Sequence, residues 1–462
     1  MSRVSIDLFA GGGGASLGMG RALGAPPVVA INHDPAAIHM HAANHPGTMH
    51  LCESVWNVAP FFPRGDAVDA LWASPDCKHH SRAKGGKPRD SGIRALADAI
   101  LPWARQVRPR VIFVENVAEF ADWGPLNEED QPIRERKGEE FRRWVRDIEA
   151  CGYVVEHRLL VAADYGAPTT RKRLYLVARS DGRPLRWPEP THGPGRSLPW
   201  RTAAECIDWD LPCPSIFGRA RPLADATLRR VAAGVMRYVL EDPKPFIVPL
   251  RGTSPAHTST HRIHDPLLTV SAHTGAAEPV RTVVAKGDRA LVAAFVAKHY
   301  GGVIGHRVDR PLGTVTATDH HSPVQVVLDP ELPDLDRARQ VAAFLVAYYD
   351  SERDGQRLGS PLRTVPTVDR FGLVTVHLDG WPYVLTDIGL RMLQPRELAR
   401  AQGFPDDYIL TGNKREQVAR IGNSVCPPVA EALVRANFPA KPRGGHGRLW
   451  AVWPPIPART IL

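Results

Sequence analysis

Short apolar runs alternate with helix-period segments over the first 180 residues. Val4–Ala10, Pro27–Ile31, Ala67–Ala73, Val111–Glu115, Tyr153–Ala162 and Arg173–Arg179 read as strands. Between them the pattern predicts helices from Ala15 to about Leu23, from Pro35 to about Asn44, over about Ile93–Val107 and over about Glu139–Cys151. The charged stretch Trp123–Gly138 reads as a surface excursion. Alternation of this kind predicts an α/β domain on a doubly wound sheet, with working loops at the carboxyl ends of the strands.

From Gly182 the chain turns proline-rich and irregular. Phe246, Phe295 and Phe344 recur 49 residues apart and open the runs FIVPL, FVAKHY and FLVAYY. Each is followed by a related segment: HDPLLTVSA from His264, DRPLGTVTA from Asp309 and GSPLRTVPT from Gly359. Three copies predict a repeated β unit of strand, loop, turn and second strand, suited to reading an extended ligand. Helical periodicity returns between Asp387 and Ala436, with a helix over Pro395–Gln402, a turn at FPDD and a loop entering a helix over Gly422–Val434. The expected domains are therefore a discontinuous α/β unit over 1–190 and 410–440, an insert over 191–409, and a basic Pro/Gly-rich tail over 441–462.

Composition narrows the classes. With 462 residues, 43% of them hydrophobic and 23% charged, the chain reads as globular. No run approaches the roughly 18 apolar residues of a membrane span, and the N-terminal segment lacks a signal-peptide layout, so a cytoplasmic protein without a membrane partner is expected. The six cysteines form no CxxC pair and are too sparse for a disulfide framework. The formal charge of +9 hints at an acidic partner such as nucleic acid, although +4 of it falls on residues 439–462. Eight of the nineteen histidines lie between His257 and His321, without the spacing of a zinc site, so no metal is expected.

Three loops carry candidate chemistry. Glycines 11–14 follow the first strand, where the backbone can approach a ligand and the helix N-terminus favours an anionic group. The run is neither a clean GxGxxG nor a Walker loop, so it indicates only a nucleotide-type cofactor site. Asn32, His33 and Asp34 end the second strand, where a ribose contact is expected. Cys77 ends the third strand in SPDCKHHS, where Lys78 would stabilise a thiolate and Asp76 would oppose it. Glu115 closes a buried apolar strand, a costly place for a carboxylate that is neither paired nor used, and Arg171 and Arg173 are its expected partners.

Read in order, DLFAGGGG, SPDCKHHS, ENV, RKR, RMLQPRELARAQGFPD and RIGNSVCPPVA resemble the motif series of the DNA cytosine-5 methyltransferase family. The resemblance covers about 1–180 and 387–436 and implies a Rossmann-like, S-adenosylmethionine-dependent methyltransferase domain. The mostly β or irregular insert lies where the family keeps its target-recognition region.

By that resemblance Cys77 is the nucleophile that adds to C6 of cytosine, Glu115 holds the N3 edge, and Arg171 and Arg173 support the carboxylate and the base. Asp7, Phe9, Gly11, Gly13, Asn32, His33, Asp34, Glu53, Pro75, Asn423 and Ser424 are the implied cofactor-binding residues. The chain departs from the family pattern at Asp76, Lys78, Asn32 and Thr169. Double-stranded DNA is the implied partner, with His257, His261, His306, His320 and His321 among candidate base contacts. A monomer and a cognate restriction endonuclease are further expectations. An RNA-directed methyltransferase, and a non-catalytic DNA-binding module on the same scaffold, remain as alternatives.

Overall fold

Three strands of the first unit, β1 (Ser5–Leu8), β4 (Ala70–Ala73) and β5 (Val111–Asn116), are buried along their whole length. Full burial is what continuous apolar runs specify when both sheet faces are covered. With β2 (Val29–Ile31), β3 (Met49–Leu51), β6 (Val154–Val161) and β7 (Lys172–Arg179) they make a seven-stranded sheet in the order β3-β2-β1-β4-β5-β7-β6. The first five strands are parallel, and β7 runs antiparallel to both β5 and β6. The chain leaves β1 towards β2 and β3, then crosses to β4 and β5. The carboxyl ends of β1 and β4 therefore flank a topological switch point, where such sheets bind ligands.

The structure is a computed structural model that describes residues 3–63, 67–76, 95–240, 246–249, 289–298, 304–318, 321–329, 335–349, 375–378 and 381–439. It divides into two compact units. One comprises Met1–Arg201, Gly313–Thr318 and Leu398–Leu449; the other comprises Thr202–Leu312, Asp319–Glu397 and Trp450–Leu462.

In the first unit, alternate strand residues sort to opposite faces. Trp72 and Phe113 stack at 5.6 Å in the core that holds Met19, Val429 and Leu433, while Leu71 and Ile112 join Trp103 and Trp144 on the other side. Helices α1 (Gly14–Leu23), α2 (Pro35–Asn44), α3 (Ile100–Gln106) and α4 (Glu139–Glu149) follow the predicted pattern. Phe141, Trp144 and Ile148 supply the buried stripe of α4, each contributing roughly 2–3 kcal/mol on burial.

Three elements differ from the sequence reading. β3 has no counterpart in the sequence pattern, because a three-residue edge strand with half-exposed side chains leaves no apolar run. The third helix begins only at Ile100, after a 3₁₀ turn over Ala95–Ala99. Gly422 closes a helix instead of opening a loop. Helix α8 (Lys414–Asn423), started by a reciprocal Asn413–Glu416 cap, precedes a short link and α9 (Pro427–Asn437). Helix α9 packs on α1 so closely that a Cβ at Gly18 would stand 2.6 Å from Ala430 Cβ.

The second unit holds an antiparallel sheet of β9 (Arg289–Lys298), β10 (Gly305–Arg307), β11 (His321–Asp329), β12 (Thr375–Leu378) and β13 (Trp381–Leu390) in the order β10-β9-β11-β13-β12, with β8 (Phe246–Pro249) also paired to β9. Two helices, α5 (Asp225–Val235) and α6 (Leu335–Tyr349), bury Val231, Val235 and Phe344 with Val324, Val326, Leu385 and Ile388. The repeat is therefore not uniform. Phe246 and Phe295 lie on strands, but Phe344 lies on α6, where helical spacing buries it edge-on to Phe217 at 6.0 Å. The segments from His264 and Gly359 lie outside the described residues. Helix α7 (Pro395–Gln402) begins beside a buried ion pair, in which Arg391 Nη2 stands 2.7 Å from Glu397 Oε1.

Candidate active site

The turn after β1 is set by backbone geometry. Phe9 takes a left-handed φ of 59°, and Gly13 one of 92°; such a conformation in a bulky residue concentrates at functional turns. A Cβ at Gly13 would collide with Tyr408 Oη, and one at Gly14 with the Val425 carbonyl. Among the described residues, a Cβ at Gly11 would meet nothing within 4 Å. The loop is thus packed on one side and open on the other.

Beneath it Asp7 is buried and accepts from Ser16 Oγ at 2.6 Å. Ser16 Oγ is 2.9 Å from His41 Nε2, and His41 Nδ1 is 2.8 Å from His50 Nε2. Burial pushes the Asp7 carboxyl up to about 7, against the Ser16 hydrogen bond that favours the carboxylate. The same burial holds His41 down at about 2 and His45 at about 4. Sequence reasoning missed this chain. Its one signal was the pair His41, in the last turn of α2, and His45, which caps that helix, and nothing in the sequence tied them to Asp7 or Tyr408.

Glu115 ends β5, 6% exposed. Its Oε1 is 3.4 Å from Arg173 Nε and 4.0 Å from Arg171 Nη2, and has no hydrogen-bond partner among the described residues. Burial raises the carboxyl pKa and outweighs Arg171, Arg173 and the Ser74 hydroxyl, all of which favour the charged form. Ser74 is itself held by Trp72 Nε1 at 2.9 Å, and Asn116 Nδ2 donates to the Pro75 carbonyl at 3.1 Å. The ends of β4 and β5 are therefore laced together around Glu115. Cys77 lies outside the described residues, with the rest of 77–94.

The two arginines differ. Arg171 is 4% exposed and its Nη1 donates to the carbonyls of Val315 and Gly422, each at 2.9 Å. Thr169 Oγ1 donates to the neighbouring Gly313 carbonyl at 3.2 Å. Arg171 thus joins main-chain segments of the first unit, and Arg173 is the nearer partner of Glu115.

The remaining candidates sort by contact. Asn32 Oδ1 accepts from the Asp34 amide at 2.8 Å, and Asp34 caps α2 by accepting from the Ala36 amide at 3.0 Å. His33 is exposed. Glu53 is exposed and accepts from the Ser54 amide and Asn57 Nδ2. Asn423 is exposed at the end of α8, while Ser424 is buried beside Gly14 with an Oγ that has no hydrogen-bond partner among the described residues. In the second unit His321 is 2% exposed, which removes its ring from the surface, and His306 Nδ1 lies 3.0 Å from the Arg307 carbonyl. His257, His261 and His320 lie outside the described residues.

Five parallel strands extended by the antiparallel β7 and β6, with a glycine turn at the switch point and a buried carboxyl at a neighbouring strand end, make the Rossmann-like fold of an S-adenosylmethionine-dependent methyltransferase, the class to which the family model assigns the chain. The family model described as C-5 cytosine-specific DNA methylase matches residues 4–199 and 346–438, and the chain belongs to that family. Its activity class is DNA (cytosine-5-)-methyltransferase, and the family takes its methyl group from S-adenosylmethionine.

Type II methyltransferase M.AgeI of Thalassovita gelatinovora is 25% identical over 451 residues, covering 93% of this chain and 97% of that protein. DNA (cytosine-5)-methyltransferase 4 of Arabidopsis thaliana is 24% identical over 477 residues, covering 94% of this chain and 28% of that longer protein. The crystal structure of a Spodoptera frugiperda DNMT2 mutant shares the fold with a TM-score of 0.52 at 15% identity, covering 95% of this chain and all of that one. No helix among the described residues is long and apolar enough to cross a membrane.

Proposed function

We propose that this chain methylates C5 of a cytosine flipped out of a specific duplex DNA sequence, through a covalent bond between Cys77 Sγ and C6 of the base. The observation that carries the reading is Glu115: a buried carboxyl with raised pKa, whose Oε1 has no hydrogen-bond partner among the described residues, beside Arg173. C5 of cytosine is too weak a nucleophile to take a methyl group unaided. Thiolate addition at C6, with proton donation to N3 from Glu115, turns C5 into the carbon of an enamine. C5 then takes the methyl group, loses its proton to a base, and Sγ leaves C6 as the ring is restored. The base must leave the duplex to reach these groups.

The glycine turn suits the methyl donor. Its side at Gly11, open among the described residues, the left-handed Phe9 and the Ser424 hydroxyl, which has no hydrogen-bond partner among those residues, suit a nucleoside-bearing ligand. Bound there, S-adenosylmethionine supplies an electrophilic methyl group. Asp7, Gly13, Asn32, His33, Asp34, Glu53, Pro75 and Asn423 complete the proposed pocket, Asp34 and Glu53 through the turns they cap.

In this reading 1–190 and 410–440 are catalytic, 191–409 recognises the target and 441–462 is a basic tail. The working form is a monomer in a microbial cytoplasm, with a cognate restriction endonuclease as the partner to look for. The test is transfer of labelled methyl groups to genomic DNA and to tRNA, together with trapping on a 5-fluorocytosine duplex. DNA labelling and a covalent adduct that vanish in Cys77→Ser support the reading. Labelling of tRNA alone, or turnover by Cys77→Ser, overturns it.

A further inference from the structure

Tyr408, in the turn after α7, has no part in the chemistry above. It is 4% exposed, its Oη donates to the Gly12 carbonyl at 2.7 Å, and it stands 3.4 Å from His45 Nε2. Its ring is held by Phe404 at 4.7 Å and His45 at 6.2 Å. The next residue anchors the turn. The Ile409 amide donates to Asn44 Oδ1 at 2.8 Å, and Asn44 Nδ2 donates to the Ile409 carbonyl at 2.9 Å and to the Met40 carbonyl at 2.8 Å. The end of α2 and this turn are thus joined by paired hydrogen bonds, and Tyr408 reaches from them onto the glycine loop.

That contact meets the loop on its packed side. Gly13 needs its left-handed φ with Tyr408 Oη against it, while Gly11 has no neighbour within 4 Å of its Cβ position among the described residues. A run of four glycines has more backbone freedom than any other sequence, and a ligand that must order such a loop binds more weakly for it. Resting on the reading that this loop holds the methyl donor, we propose that Tyr408 is a positioning residue, whose hydrogen bond to the Gly12 carbonyl holds the loop in its binding shape before the donor arrives. It acts through the loop, so its loss is felt in donor affinity and not in the methyl-transfer step.

The test uses the full chain and Tyr408→Phe, which keeps the ring packing and removes only the donated hydrogen bond. S-adenosylmethionine binding is measured by calorimetry, beside KM, kcat and Tm. Kd and KM for the donor should rise about tenfold, the loss of one buried hydrogen bond, with kcat at saturating donor and KM for DNA changed less than about twofold. Asn44→Ala, which frees the turn and leaves the hydroxyl in place, should shift donor Kd in the same direction and by less. It carries the test if Tyr408→Phe does not fold. An unchanged donor Kd in the folded variant, whatever its Tm, overturns the proposal. Failure of the wild type to bind S-adenosylmethionine instead overturns the reading of the loop, which sets the two failures apart.

Discussion

Arg171 comes no closer to Glu115 than 4.0 Å, although the sequence pairs them as catalytic partners. Its Nη1 instead satisfies two main-chain carbonyls, Val315 and Gly422, in a setting where only 4% of the residue is exposed. A lysine ammonium keeps the charge but cannot reproduce the planar guanidinium's contacts to both buried carbonyls. Arg171→Lys should therefore lower the unfolding free energy by about 2 kcal/mol, read as a lower denaturant midpoint. Arg173→Lys should leave that midpoint nearly unchanged and slow methyl transfer about tenfold or more. Equal effects of the two variants on stability would contradict this division.

Glu115→Gln keeps the shape of the side chain and removes the transferable proton. Methyl transfer should fall about a hundredfold or more, while duplex binding measured by anisotropy stays within about threefold. The wild-type rate should also decline as pH rises through the elevated Glu115 pKa, since the proton donor is then lost. That limb should be absent from the pH profile of the variant.

Gly13→Ala places a Cβ against Tyr408 Oη on a backbone whose φ of 92° disfavours any side chain. The cost should be about 2 kcal/mol or more, with donor affinity lost in parallel. A thermal melt with and without S-adenosylmethionine would show both. A variant that melts and binds like the wild type would mean that the loop takes another shape.

The Asp7 carboxyl, raised by burial to about 7 from an ordinary 3.8, is stabilised in the folded chain as the neutral acid. Its contribution to stability is full below about pH 4 and is lost as pH rises through about 7. His41 and His45, lowered by burial, act in the opposite sense: their contribution is present above 6.5 and lost as pH falls. Those histidines are common to the wild type and Asp7→Asn. The stability of the wild type minus that of Asp7→Asn should therefore fall between pH 4 and 7 and level off above, in chemical denaturation at each pH. A flat difference would show that Asp7 keeps its charge on folding.

Six of the seven strands in the first sheet were readable in the sequence: β1, β2, β4 and β5 are buried along their length and so read as mostly apolar runs, whereas the edge strand β6 is largely exposed. The glycine turn, the buried Glu115 and the ordered motif series were equally local, and they were enough to indicate the family. Local signals did not reach β3, whose exposed residues leave no pattern, or the helical state of Phe344, where the surrounding core overrode a repeat that suggested a strand. Nor could they separate Arg171 from Arg173, two residues apart in the same motif, since the partners of Arg171 lie 144 and 251 residues away. The hydrogen bond from Tyr408 to Gly12 spans 396 residues. Hydrophobic periodicity is written into neighbouring residues and so into the chain itself, whereas a polar side chain takes its role from whichever distant carbonyl folding brings within 3 Å.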